Sequence, residues 1–127
     1  MKGKKLFQVS LLAIIVVMIF TGCGGYDKYV TQVREGSLYS YPNVPVGKAF
    51  DQFFTNEQWS SFESTEGKTI VEFTGDCSWY NAPAEMTIQF VIKGREFEVN
   101  YVGVNDIGLS LLEGVAIVEK VLEDYRP

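Results

Sequence analysis

Carboxylates are the side chains of this sequence whose spacing could support acid–base chemistry. Glu72 and Asp76 fall four residues apart on one face of a predicted strand, roughly 13 Å from each other, and Glu98 on a neighbouring strand could approach one of them. A glycosidase pair needs a separation of about 5 to 9.5 Å inside a cleft. A flat, hydrated sheet face is a poor place to raise the pKa of a carboxyl group. We therefore expect these three carboxylates to form a solvated surface, and we assign no catalytic residue.

The sequence contains no histidine, and this absence removes several other kinds of chemistry. Without histidine, a Ser-His-Asp triad, a Cys-His pair and a histidine-based zinc site cannot form. The two cysteines are too few for a zinc site made of cysteine alone. A glycine-rich phosphate loop after a strand is also missing. The sequence therefore predicts neither a metal nor a cofactor.

The first 23 residues indicate an export signal. The chain begins with the basic segment MKGKK, continues with the apolar run Leu6 to Phe20, and then reads Thr21-Gly22-Cys23. As a helix the apolar run would span roughly 22 Å, which is less than the hydrocarbon core of about 30 Å. A basic segment, a short apolar run and small residues at its end are typical of a secretory signal.

The tetrapeptide Phe20-Thr21-Gly22-Cys23 resembles the lipobox of bacterial lipoprotein signals. The resemblance implies a diacylglycerol on the sulfur of Cys23, removal of residues 1–22, and a location at the extracytoplasmic face of the cell membrane. Two or more acyl chains give stable anchoring. Retention of the apolar run as an uncleaved anchor is the alternative. If Cys23 is lipidated, Cys77 has no disulfide partner, and we expect it to be buried as a small apolar side chain.

The charge of the mature chain argues against two kinds of partner. Removal of residues 1–22 leaves 105 residues, which suffices for one domain, with 8 basic and 16 acidic side chains and a net charge of −8. Nucleic acids and anionic lipid surfaces both attract clustered Lys and Arg. We therefore expect no nucleic-acid partner. We also expect a body that stands off the membrane on a flexible tether, residues 23–43.

The periodicity of residues 44–127 predicts a single α+β domain. Pro45 begins a helix that places Val46, Phe50 and Phe54 on one face. Ser110 and Glu113 form a capping box that begins a second helix. Between the helices, alternating apolar residues predict four strands joined by tight turns, over residues 57–63, 69–80, 85–93 and 96–104. The expected architecture is α-β-β-β-β-α, a two-layer sandwich of a four-stranded antiparallel meander with two helices on one face.

The outer face of this sheet, which no helix is expected to cover, offers a candidate contact surface. We assign Ile70, Tyr80, Val91 and Val102 to this face, where they would form a small apolar patch. Three other aromatic residues are expected in the core on the inner face, namely Trp59, Trp79 and Tyr101.

Several short runs of the sequence form a recognisable set. They are Tyr41-Pro42, Val46 to Phe54, Trp59, Val71 to Cys77 and Val104-Asn105. The set resembles a largely uncharacterised group of small lipoproteins and membrane-anchored domains of Gram-positive bacteria. Some members of the group are similar to the repeats of β-lactamase inhibitor protein, which pack helices on one face of a four-stranded antiparallel sheet. The resemblance implies an α+β fold and a membrane location, and it carries over no catalytic residue.

The sequence therefore predicts a lipid-anchored extracytoplasmic binding or interaction module, which is not an enzyme and has a protein partner. Two alternatives remain open. One is a protective lipoprotein, such as an enzyme inhibitor, an immunity factor or a phage-exclusion protein, that blocks another macromolecule. The other is an enzyme that uses carboxylates alone.

Overall fold

The computed structural model describes residues 25–127 of the chain. The export signal and the lipid attachment at Cys23 lie outside these residues and stay predictions. Among residues 25–127, no helix is both long enough and apolar enough to cross a membrane.

The described chain contains three helices and five strands. The strands form one antiparallel sheet in the order β1-β2-β3-β4-β5, so each strand pairs with its neighbours in sequence. The predicted α+β class and the meander are confirmed. The predicted α-β-β-β-β-α order was wrong, because one more helix precedes the sheet and a short fifth strand follows the fourth. The elements are α1 Lys28–Glu35, α2 Val46–Phe53, β1 Thr55–Glu63, β2 Thr69–Trp79, β3 Ala82–Lys93, β4 Glu96–Val104, β5 Ile107–Gly108 and α3 Leu111–Glu123.

Helix α1 lies within residues 23–43, which the sequence predicted to be a flexible tether, and for the helical residues that prediction was wrong. The Asp27 side chain caps the helix by accepting hydrogen bonds from the amides of Tyr29 and Val30 at 2.9 and 2.8 Å. Val30 and Val33 are 1% and 0% exposed and belong to the same core as the sheet. The domain therefore begins at about Asp27 rather than at residue 44.

The core lies between the helices and one face of the sheet. Phe50 of α2 is fully buried, and its ring centroid lies 4.8 Å from that of Phe73 in β2 and 5.7 Å from that of Trp59 in β1. Gly75 in β2 allows close approach, because a Cβ atom there would lie 2.9 Å from the Cβ atom of Phe54. The predicted aromatic stripe of α2 thus packs against the predicted inner face of β2.

A β-bulge in β4 changes which side chains face the core. Phe90 pairs with Val99 and the preceding Gln89 pairs with Tyr101, so Asn100 is an extra residue in β4. The residues after the bulge point to the opposite face from the one that strict alternation predicts. Val102 therefore points into the core beneath α3, and Tyr101 points to the outer face, which corrects the prediction for both.

Helix α3 begins as the sequence predicts and covers the β4 side of the sheet. The Ser110 hydroxyl accepts a hydrogen bond from the Glu113 amide at 3.2 Å, and the Glu113 carboxylate accepts one from the Ser110 amide at 3.3 Å. Gly114 then lets the helix lie directly on Val102, because a Cβ atom at Gly114 would be 2.8 Å from that side chain. All three helices contribute to one core on one face of the sheet.

The burial of α1 predicts that Val33→Ala destabilises the domain. We expect the free energy of unfolding, measured by urea denaturation, to fall by about 2 kcal/mol, because two buried methyl groups are lost and a cavity remains. Glu35→Ala, at an exposed position of the same helix, is the matched control and should change the value by less than about 0.5 kcal/mol. Equal urea midpoints for Val33→Ala and the parent chain would mean that α1 is not part of the folded unit.

Candidate functional site

The three carboxylates singled out in the sequence do not meet in the structure. Each has a different partner: Glu72 accepts a hydrogen bond from the Gln89 amide nitrogen at 2.8 Å, and Asp76 accepts one from the side-chain amide of Asn56 at 2.8 Å. Glu98 forms an ion pair with Lys93. All three lie on the outer face of the sheet, as predicted, and the structure does not assemble them into a catalytic pair.

The apolar patch predicted on the outer face is smaller than expected. Ile70 and Val91 do lie on that face as a cross-strand pair, but neighbouring side chains leave them only 3% and 6% exposed. Val102 is in the core because of the bulge in β4. Of the four residues assigned to the patch, only Tyr80 is available for contact.

A carboxyl pair that the sequence did not point to, Asp51 and Glu57, meets beside Arg34. The two terminal nitrogens of Arg34 donate to the two carboxylate oxygens of Asp51 at 3.1 and 2.9 Å. The carboxyl group of Glu57 belongs to the same cluster: it interacts electrostatically with Asp51, and its Oε2 atom is buried without another hydrogen-bond partner among residues 25–127. The Arg34 guanidinium also lies 5.4 Å from the ring centroid of Trp59 and 4.9 Å from that of Tyr26. The cluster thereby connects α1, α2 and β1.

The pKa values of this carboxyl pair move in opposite directions. Burial, together with the hydrogen bond to Asp51 and its negative charge, raises the pKa of Glu57 to about 7. The hydrogen bonds from Arg34 hold the pKa of Asp51 below its ordinary value. Between these two pKa values the pair therefore holds one proton, which belongs mainly to Glu57.

The surroundings of Asp51 and Glu57 favour a structural role over a catalytic one. Arg34 already occupies both oxygens of Asp51. A cavity of about 390 Å³ beside Arg34 is lined by neither Asp51 nor Glu57. A catalytic carboxyl group has to reach a site where a substrate can sit. The cluster instead connects α1 to α2 and to β1, the edge strand of the sheet.

A larger open groove, of about 630 Å³, separates the connection between α1 and α2 from the turn between β3 and β4. Its charged lining residues, Arg95 and Glu96, are both exposed, so the lining offers no buried charge that would define a ligand. Among residues 25–127, no three Cys, Asp or Glu side chains come together in an arrangement that could hold a metal ion. The groove therefore gives no basis for naming a small-molecule ligand.

The turn between β2 and β3 projects beyond the rest of the sheet. The pairing of β1 with β2 ends at Asp76, and the pairing of β3 with β4 ends at Met86. Cys77 to Ala84, which we call the tip hairpin, consequently pairs only with itself. Its inner side chains still contact the core, since Ala84 is buried and both Cys77 and Trp79 pack against the core cluster.

The Cys77 side chain lies on the inner side of the tip hairpin, as predicted. It is half-buried and has no disulfide partner among residues 25–127. Burial, with a smaller effect from the charge of Asp76, raises the pKa of its thiol. A raised pKa reduces the reactive thiolate fraction, so this environment favours a packing role.

Tyr80 occupies the end of the tip hairpin in a conformation that a tyrosine rarely adopts. The two-residue loop has φ values of +50° at Tyr80 and +64° at Asn81, the signs of a type I′ turn. Asn favours this left-handed region, whereas a bulky side chain there costs about 1 to 2 kcal/mol. The Tyr80 ring is 86% exposed and meets the Trp79 ring edge to face, with centroids 5.1 Å apart. Backbone strain of this kind occurs preferentially at functional sites, so Tyr80 is a candidate contact residue.

The tip hairpin is itself uncharged but lies between acidic residues, Asp76 and Glu85, and we call this end of the domain the acidic end. Neither Thr69 to Ile92 nor Glu96 to Glu119 contains a Lys or Arg. The second turn at this end, between β4 and β5, holds Asp106, and the start of α3 holds Glu113. Exposed apolar side chains occur among these acidic residues, namely Ile107, Leu111 and Leu112.

The predicted strands 69–80 and 85–93 placed the turn at residues 81–84, whereas the structure has a two-residue loop, Tyr80-Asn81. Such a loop usually carries Asn-Gly or Asp-Gly, so the misfit of Tyr80 becomes visible once the loop is located. The sequence likewise gives no signal for the pairing of Asp51 with Glu57, because these residues lie on different elements, α2 and β1.

The raised pKa of Glu57 predicts how stability depends on pH. An unfolded glutamate releases its proton near pH 4.5, whereas the folded chain keeps it to about pH 7, so the free energy of unfolding should fall as the pH rises between these values. Glu57→Gln removes this term. We expect a variant with a higher melting temperature than the parent at pH 8 and a much smaller difference at pH 5.

Glu63→Gln, at an exposed position of the same strand, is the control and should follow the parent curve. Circular dichroism melts between pH 5 and 8.5 measure all three proteins. Parallel curves for Glu57→Gln and the parent would contradict the assignment.

Comparison of the chain with protein-family models, with curated proteins and with solved structures gives no significant match. The function has to be inferred from the residues and their geometry.

Proposed function

We propose that this protein is a lipid-anchored, extracytoplasmic binding module that contacts another protein through its tip hairpin and is not an enzyme. The anchor is a lipid on Cys23, which the lipobox Phe20 to Cys23 supports. The binding role is supported by the shape and the charge of the acidic end of the domain. The non-enzymatic role is supported by the separate partners of Glu72, Asp76 and Glu98 on the outer face.

The observation that carries the proposal is the conformation of Tyr80. An exposed tyrosine held at φ +50° destabilises the fold. The next residue, Asn81, also has a positive φ and is of a type that tolerates this conformation, so Asn would suit position 80 as well. Tyrosine is among the residues that contribute most binding energy in protein interfaces, because it buries a large area with few rotatable bonds. A strained and exposed Tyr80 is therefore better explained by a contact outside the domain than by one inside it.

The charge of the acidic end indicates which kind of partner surface it can bind. Asp76 and Glu85 stand directly opposite each other on β2 and β3, and no Lys or Arg occurs on either strand up to Ile92. Such a surface attracts a partner that carries Lys or Arg and repels an acidic one. We expect a basic surface with a pocket or cleft that takes an aromatic ring.

A second candidate function uses the same contact. A projecting hairpin with an aromatic end can enter a concave site, so the module would block an enzyme, a toxin or a phage protein rather than recruit it. The two functions differ in what happens to the partner's activity on binding, and the identity of the captured partner separates them.

Site-specific cross-linking tests the proposed contact. The full chain is produced in its own envelope with the photoreactive residue p-benzoylphenylalanine in place of Tyr80. After illumination we expect one adduct of defined mass, weakened by high salt because the contact is partly electrostatic. The matched control carries the same residue in place of Tyr39, which is 100% exposed but lies far from the acidic end, and should give no such adduct.

Competition shows whether the Tyr80 side chain itself is recognised. Excess solubilised parent chain should abolish the adduct, whereas excess Tyr80→Asn should reduce it at least tenfold less effectively. Tyr80→Asn should nevertheless melt at the same temperature as the parent or above it, because Asn suits the turn. Equal adducts from positions 80 and 39, or equal competition by Tyr80→Asn, would contradict the proposal.

A further inference from the structure

Two ends of the domain can be distinguished, and only one of them lies near the chain's entry into the fold. We call this the proximal end; it contains α1, the β1–β2 turn at residues 64–68 and the β3–β4 turn at residues 94–95. Asp27, immediately before α1, bonds to Ser61 near the end of β1. Gln32 of α1 donates to the Gly94 carbonyl oxygen at 3.1 Å in the β3–β4 turn. The tip hairpin is at the opposite end of the same strands.

The chain between the lipid-attachment residue and the fold is short. Cys23 and Asp27 are four residues apart in sequence, and even a fully extended chain spans only about 14 Å over that distance. The Asp27 side chain is fixed by its bonds to α1 and to Ser61. A lipid on Cys23 would therefore hold the proximal end within about 15 Å of the membrane surface.

The two ends of the domain also differ in charge. The proximal end carries five basic side chains, Lys28, Arg34, Lys68, Lys93 and Arg95, among acidic neighbours of similar number. The acidic end carries Asp76, Glu85, Asp106 and Glu113, and neither the tip hairpin nor residues 105–113 contain a Lys or Arg. A membrane surface with anionic lipid repels the acidic end and is nearly neutral toward the proximal end.

We propose that the membrane surface is the partner of the proximal end, so that the domain stands on the bilayer with its strands pointing outward and the tip hairpin farthest from the lipid. The inference rests on the proposed lipid anchor and deepens it. It replaces the expectation of a body that hangs on a tether of about twenty residues, which would leave its orientation free. Because Ser78 follows Thr69 by nine positions along β2, the tip hairpin would be about 30 Å farther from the bilayer than the β1–β2 turn.

Energy transfer to the membrane tests this orientation. The lipidated chain, with Cys77→Ala, carries an azide-bearing residue for dye attachment at Thr65 in the β1–β2 turn or at Ser78 in the tip hairpin, both of which are exposed. It is reconstituted into phosphatidylcholine–phosphatidylglycerol vesicles that contain a headgroup-labelled acceptor lipid. We expect strong transfer from position 65 and much weaker transfer from position 78, equivalent to a difference of about 30 Å.

Two further experiments distinguish an error in the proposed lipid anchor from an error in the proposed orientation. Cys23→Ala should leave the membrane fraction, and its retention there would mean that the proposed lipid anchor is wrong. In that case the mature chain from residue 23 is coupled through the Cys23 sulfur to a maleimide lipid, and the transfer is measured again. Equal transfer from positions 65 and 78 in either preparation would overturn the orientation, whatever the native anchor is.

Discussion

The packing of Val30 and Val33 against the core is the interaction on which the arrangement of the whole molecule depends. It makes α1 part of the folded domain, and with α1 in place only a few residues separate Cys23 from the fixed position of Asp27. Two buried valines contribute roughly 3 to 4 kcal/mol, which is a large share of the stability of a domain of this size. The contact between Arg34 and Asp51 supports the same docking from the surface of the helix. The proposed orientation and the direction of the exposed end both follow from this one helix.

Local preference and overall structure agree in most of this chain and disagree at the end of the tip hairpin. Asn105-Asp106 fits its two-residue turn, because both residues tolerate positive φ, whereas Tyr80 does not fit the equivalent position in the β2–β3 turn. Sites where a sequence opposes its own fold are the places where a function is expected to be found. The tip hairpin and the strands and turn beside it contain acidic residues but no Lys or Arg from Thr69 to Ile92, so conformation and charge independently indicate the same surface.

The parts of the fold that the sequence predicted are those set by neighbouring residues. The capping box of Ser110 and Glu113 and the aromatic stripe of α2 both follow from local spacing, and both are confirmed. The sequence did not predict helix α1, because only two of its eight residues are apolar residues of the core. Two positions are too few to show a helical period. The bulge at Asn100 was missed because it is a property of the pairing of β4 with β3 rather than of β4 alone. The contact between Asp51 and Glu57 likewise exists only once α2 has docked on β1.

Amide hydrogen exchange of α1 in the full chain tests the central claim most directly. If α1 is folded into the domain, the amide of Val33 should exchange at least a thousandfold more slowly than in an unfolded chain, within the range of the amide of Val71 in the central part of the sheet. An exchange rate at Val33 equal to that of an unstructured peptide, with Val71 still protected, would show that the segment is a flexible tether. The short connection to the membrane and the outward orientation of Tyr80 would then have no basis.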